Sequence, residues 1–396
     1  MAQLVLMLLQ TITPSVSAAA EKPYFPALTG LRALAAWLIF FLHTNSFEFG
    51  SLPNRVINEF HLGVTVFFVL SGLLIGVRYG RRLAVSRQWL GNYVRHRFAR
   101  IYPLYFLLTC LFFVVYQLAP QYDATGLYTR SHATGKALVI GMNLTLLRGW
   151  FTEFRFTGVY TGWTLTVEEF FYLLAPFLLL GLRRWPARLP AYVVGFVFLG
   201  CALVALPAPW HRFVFVPDYI FMFSATFFGR CFEFLGGLFL ALLWLRQAPI
   251  LRWLSRHISC TAIGGAWVVS CLGLLVVDHV LPWSDEQADW GRIVINNLVV
   301  VPGMGLLLYG LMSEPTRLSR LLGSWPFDLF GKASYAFYLI HAGILDQFLA
   351  QHVTTSLSLR FIITNILAIV LYKGIEHPLY RKLVPRNAGA ASLKEG

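Results

Sequence analysis

Arg32 and His43 stand eleven positions apart in the apolar stretch that runs from Leu28 to His43. On a helix eleven positions are close to three turns, so the two side chains share a face, roughly 16 Å apart along the axis. Ionisable groups inside a lipid-spanning helix are costly and by default mark a functional site. A cation near one end and an imidazole near the other suit a substrate path whose chemistry differs at the two membrane faces. The competing reading is that Arg32 snorkels to the headgroups and His43 rests at the opposite interface.

Four further groupings carry side chains able to do chemistry. Ser71 and Gly72 close the run from Phe67 to Gly72, a small polar notch where another helix or a thin substrate can approach closely. Arg97 and Arg100 are three apart, so a helix presents both guanidinium forks on one face, an arrangement suited to a phosphate-bearing ligand. They are expected at the start of the next span, where free N–H groups and the helix dipole also favour anions. The alternative is a topological signal, ordinary positive charge at a cytoplasmic helix end. Trp163, Glu168 and Glu169 open a later span. A carboxylate there is able to orient a histidine, or it serves the helix dipole alone. Tyr335 and His341 lie in an apolar segment near the C-terminus, with His341 close to the midplane, where it lines a cavity or hydrogen-bonds across helices. The five cysteines sit apart in apolar spans with no C-x-x-C pair, so neither a disulfide framework nor a metal site is expected.

The elements that must position these residues are set by composition. Of 396 residues 57% are hydrophobic and only 13% charged, with mean hydropathy +0.64; an average soluble chain carries about 25% charge. An aromatic share of 16% suits helices in lipid with belts at the interfaces. The net charge of +14 does not point to nucleic acid, because the basic residues fall in short blocks between apolar spans and no nucleic-acid motif accompanies them. Windows near the ~20-residue spanning length occur at 26–45, 60–79, 101–119, 163–182, 190–208, 225–245, 259–280, 293–312, 334–350 and 357–375. The expected fold is therefore an all-α integral membrane protein of about ten transmembrane helices in one bundle. Arginines cluster at 81–100, 183–188, 246–256 and 317–320 on one side, with Lys22, Arg386 and Lys394 beside them, and Glu48, Glu59, Asp123, Glu153 and Asp218 lie opposite. That asymmetry predicts both termini in the cytoplasm. The stretch 136–150 is too short to cross and is expected as a re-entrant or interfacial helix on the outer face. The first 25 residues lack the basic region of a cleaved signal and are expected as a short lead. A transmembrane domain over 26–380 and a basic cytoplasmic tail at 381–396 complete the division.

Taken together, the order and spacing of these groupings resemble the membrane-bound acyltransferase-3 family, bacterial O-acyltransferases that modify cell-surface polysaccharides and other exported molecules. Arg32 and His43 match its Arg-x10-His motif, and Arg97 and Arg100 its Arg-x-x-Arg motif. Phe67 to Gly72 matches its Phe-Phe-Val-Leu-Ser-Gly run, and Trp163 to Glu169 its Trp-Ser-Leu-x-x-Glu-Glu element with Thr164 in place of Ser. Ser334, Tyr335 and the run from Tyr338 to His341 look like its late motif. Thr65 departs from the pattern, since many members carry an acid there. The resemblance implies transfer of an acyl group, most often acetyl, from cytoplasmic acyl-CoA to a hydroxyl of an extracytoplasmic carbohydrate or glycolipid at the bacterial inner membrane. It implies His43 as general base, assisted by Glu168 and Arg32. Arg97, Arg100, Ser71 and Gly72 would meet acyl-CoA, and Trp163, Glu169, His341 and Tyr335 the acceptor. No permanently bound cofactor and no nucleic-acid partner are expected. The alternative from another class is a transporter or exporter of a polar lipid or sugar conjugate, which would need no coenzyme A.

Overall fold

The computed structural model describes residues 23–81, 83, 86–205, 215–278 and 285–384, though not the side chains of 278 and 285–289. The expected lead and basic tail lie for the most part outside them, as do Lys22, Arg386 and Lys394. Among the described residues the secondary structure is helical, with no strand. Nine helices there are long and apolar enough to cross a membrane, so the chain is a multi-pass all-α membrane protein.

The segment expected as a further span at 334–350 is helical but interrupted. Helix Trp325–Ile340 stops before Gly343, whose φ of 84° is readily adopted only by glycine. A short helix, Ile344–Phe348, then leads into the π-helix Leu349–Val353. The short apolar stretch near 136–150 forms helix Ala133–Leu144, of 12 residues. At 1.5 Å per residue it is about 18 Å long, well short of a hydrocarbon core of about 30 Å. Leu146, with φ of 55°, turns the chain into the 3-10 turn Leu147–Trp150.

The chain divides into two compact units, residues 1–83 with 166–331 and residues 84–165 with 332–396. In the first unit, close helix packing follows the small residues. A methyl at Gly72 would overlap the carbonyl of Phe234, and one at Gly237 would overlap that of Val69. Helices Leu62–Tyr79 and Phe227–Leu245 therefore meet backbone to backbone, as small residues allow in membrane bundles. Helix Pro26–His43 uses the same device, with Gly30 against the Leu322 carbonyl. The Glu314 carboxylate accepts from the backbone N–H groups of Cys260 at 2.6 Å and Thr261 at 3.0 Å and from the Ser259 hydroxyl at 3.1 Å. It thereby closes the start of helix Cys260–Asp278, where free N–H groups need acceptors.

The second unit is built on helix Arg87–Leu118, of 32 residues, about 48 Å at 1.5 Å per residue. Its length exceeds a bilayer core, so its basic first turns extend into the interface. Tyr105 and Tyr116 donate to the carbonyls of Asn143 at 2.9 Å and Gly158 at 3.1 Å. They tie the short helix and the polar segment after it to the long one.

Candidate active site

In the first unit, Ser71 and Glu168 meet, although 97 residues separate them in sequence: the Ser71 hydroxyl donates to Glu168 Oε1 at 2.5 Å. Tyr172, one turn further along helix Trp163–Arg184, donates to the same oxygen. Gly72 faces the other way, where the Phe234 backbone fills its notch. Of the two occupants that sequence allows there, the structure shows a helix. Phe68, Phe234 and Phe171 stack beside the cluster, with ring centroids 4.6 and 4.2 Å apart. The wall around the carboxylate is thus apolar, and the polar contacts within it are fixed.

Arg32 is half-buried along helix Pro26–His43, and His43 is that helix's last residue, with an exposed side chain. The loop that follows is organised by asparagines. Asn45 donates to Asn58 Oδ1 at 2.9 Å and to the Asn54 carbonyl at 3.2 Å, and Asn58 donates to Asn54 Oδ1 at 3.3 Å. His43 therefore sits where the apolar helix gives way to a hydrogen-bonded loop. Glu169 is half-buried one residue after Glu168.

Residue 65, which sequence marks as a departure, packs against an arginine. Arg230 donates to the Thr65 hydroxyl at 3.0 Å and holds Glu233 through two bonds of 2.7 Å. A buried charge needs a partner; Glu233, one helical turn away, supplies it, so Thr65 is left as a neutral acceptor. Sequence reading passes over this pair, although two charges in an apolar span are the same signal that singles out Arg32 and His43.

In the second unit the Arg-x-x-Arg motif lies well inside helix Arg87–Leu118. Arg100 forms an ion pair of 2.6 Å with the buried Glu376 and lies over the Tyr335 ring. Arg97 and Arg100 are each half-buried. The expectation that they sit at a helix start is corrected: the helix begins at Arg87, three turns earlier, so the backbone N–H groups around Arg97 and Arg100 are engaged in the helix. Helix N–H groups therefore take no part in anion binding at these positions. Tyr335 donates to the Ile101 carbonyl at 2.8 Å, a helix-to-helix tie.

The late motif and the Trp163 element are joined in this unit. The Thr164 hydroxyl lies 2.9 Å from that of Tyr338, and the Thr161 hydroxyl donates to the Tyr338 carbonyl at 2.7 Å. Thr164 keeps the hydroxyl that serine supplies in the motif. His341 is buried just past the end of helix Trp325–Ile340, its Nδ1 3.0 Å from the Tyr338 carbonyl and its ring stacked on Phe337. Arg155 lies 4.1 Å above the Trp163 ring, a cation–π contact. Arg148 is fully buried; it donates to Asn143 Oδ1 at 2.7 Å and to the carbonyls of Thr157 and Val159. That clamp shapes the segment leading to Trp163, and no spacing pattern in the sequence marks it.

Comparison with known families decides the class. The model of the acyltransferase-3 family, described as an acyltransferase domain, matches residues 25–373. The chain belongs to this acyltransferase family. Among curated relatives, the peptidoglycan O-acetyltransferase OatA of Listeria monocytogenes is 25% identical over 87% of this chain. The O-acetyltransferase OatA of Staphylococcus aureus is 24% identical over 91% of it. The matches span 56% and 58% of those relatives' own lengths, little more than half. No solved structure matches the chain. The acyltransferase match runs through both units and takes in every motif position described above.

Proposed function

We propose that this acyltransferase moves an acyl group, acetyl first among candidates, from cytoplasmic acyl-CoA to a hydroxyl of an extracytoplasmic carbohydrate or glycolipid at a bacterial inner membrane. The observation that carries the reading is the Ser71–Glu168 hydrogen bond at 2.5 Å, because it unites two motif positions into one polar cluster inside an apolar wall. The two relatives, named for O-acetyl transfer, support the reaction type. His43 acts as general base, a role worth about 10²–10⁴ in rate. It takes the proton of the acceptor hydroxyl while the oxygen attacks the thioester carbonyl. The C–S bond breaks, an ester forms, and the proton passes to the departing coenzyme A thiolate. Arg32 lies on the same helix and stabilises charge on the acyl carbonyl or donor. Glu168 orients the imidazole and steadies the imidazolium.

Arg97 contacts coenzyme A phosphate, and Arg100, already paired with Glu376, holds the helix that presents it. Trp163, Glu169, Tyr335 and His341 shape the acceptor path. The test is the acyl-ester content of surface glycans in a strain lacking the gene, in its parent and in the complemented strain. Loss of esters in the mutant and their return on complementation is the expected result; identical ester content in all three would contradict the reading.

A further inference from the structure

In the second unit, two rungs join helix Arg87–Leu118 to the π-helix Tyr372–Glu376 and the helix His377–Leu383 that continues it. Arg100 pairs with Glu376 at 2.6 Å, and His96 Nδ1 lies 3.0 Å from the Tyr380 hydroxyl. One turn back on the long helix answers one turn forward on the other, so the two run antiparallel. Charge asymmetry predicts this end of the unit in the cytoplasm.

Antiparallel packing fixes which side chains share a side. A helix turns by about 100° per residue, so the residues that follow each member of a facing pair point to the same side of the groove between the helices. Arg97 follows His96 and Arg381 follows Tyr380, so the two guanidinium groups flank one groove. Arg95 precedes His96 and lies on the opposite side, and Lys382, one residue further round, points away from the long helix. Arg381 is exposed and Arg97 half-buried. From Phe98 to Leu118 no exposed side chain is charged. That stretch measures about 30 Å at 1.5 Å per residue, the thickness of a hydrocarbon core. Arg97 thus stands at the membrane boundary, and Arg381, on the helix that leads away from it, stands further out.

Two guanidinium groups at different depths suit a ligand with two separate phosphate groups, since arginine matches phosphate oxygens with a two-pronged fork. Arg100 is neutralised by Glu376, so the motif by itself does not supply two charges to such a ligand; Arg381 adds one. Coenzyme A has the required pattern, a pyrophosphate on the arm that carries the acyl thioester and a 3′-phosphate on the ribose at the far end. We propose that Arg381 binds the 3′-phosphate of acyl-CoA while Arg97 meets the pyrophosphate. The order follows from depth, because the thioester arm must enter the bundle and the ribose end faces water. The proposal rests on the acyl-CoA donor of the proposed function. Arg381 lies beyond residues 25–373, which match the family, and sequence reading leaves it among the basic residues of the tail.

Purified protein in phosphatidylcholine nanodiscs is titrated by calorimetry with coenzyme A and with 3′-dephospho-coenzyme A. Wild type should bind coenzyme A more tightly, and added salt should narrow the gap, because exposed charges are screened. Arg381→Gln should weaken coenzyme A severalfold and leave 3′-dephospho-coenzyme A unchanged, which abolishes the preference; Arg381→Lys should restore part of it. Lys382→Gln and Arg95→Gln remove the same charge from outside the groove and should leave both affinities as in wild type. Equal binding of the two forms by wild type, a preference that survives in Arg381→Gln, or equal losses in Lys382→Gln and Arg95→Gln would overturn the proposal. An Arg381→Gln effect present only in phosphatidylglycerol discs would assign the side chain to a lipid headgroup and overturn it as well. Wild type that binds neither form sinks the acyl-CoA donor and the site with it. Coenzyme A bound with a preference that Arg381→Gln keeps sinks the site and spares the donor.

Discussion

At the scale of single residues, the structure divides roles that spacing alone makes look alike. Arg97 and Arg100 share a helix face, yet Arg100 already neutralises the buried Glu376. Arg97→Ala should weaken acyl-CoA binding by about tenfold or more, the loss of one charge-assisted contact of ~1.5–3 kcal/mol. Arg100→Ala strands the Glu376 carboxylate and should lower the melting temperature, and Glu376→Gln in the same background should restore part of it. Calorimetry and coenzyme A binding on the purified variants check both; equal effects on binding and none on stability would return the two arginines to equivalence. Glu168 serves two hydroxyls at once, so Glu168→Gln, which keeps the shape and removes the charge, should slow turnover and leave coenzyme A affinity intact. Sequence shows these side chains but not their partners, because Glu376 and Ser71 lie 276 and 97 residues from the groups they bind.

At the scale of elements, helix ends and close crossings carry the testable physics. Glu314 gathers donors from Ser259, Cys260 and Thr261. Burial raises its pKa, but the hydrogen bonds from Thr261, Cys260 and Ser259 outweigh this and hold it below the usual carboxylate value. A group whose folded pKa is depressed contributes stability above its unfolded pKa and loses it as pH falls through the folded value. Thermal stability should thus decline with acidification from the ordinary carboxylate range downward, and Glu314→Ala should flatten that part of the profile; an unchanged slope would remove the cap. Gly72→Val drives a side chain into the Phe234 carbonyl and should destabilise the first unit even with the Ser71 hydroxyl intact. Apolar windows and their order were legible in the sequence because lipid demands a long apolar run for each crossing. The early start of helix Arg87–Leu118 was hidden by its polar first turns, which length statistics do not register. The interruption at Gly343 was hidden because a break of three residues barely alters an apolar window.

At the scale of the whole molecule, the apolar composition, the basic blocks and the family match through both units describe one membrane acyltransferase domain. Charge asymmetry predicts residue 90 and the C-terminus in the cytoplasm and residues 50 and 285 outside. Reporter fusions at the four positions check this, and an external residue 90 would remove the cytoplasmic route for acyl-CoA. The motif residues were legible as types in order; their grouping into a Ser71–Glu168 cluster and a Thr164–Tyr338 junction was not, since periodicity gives a helix face but not the neighbour it meets. The central claim is that acyl-CoA donates to a hydroxyl with His43 as base. Its most direct measurement is radiolabelled acetyl transfer from acetyl-CoA into membrane glycan by wild type and His43→Ala, with coenzyme A binding measured on the same purified proteins. The account predicts transfer lowered by about 10²–10⁴ in the variant and coenzyme A affinity preserved; wild-type transfer by folded His43→Ala would contradict it.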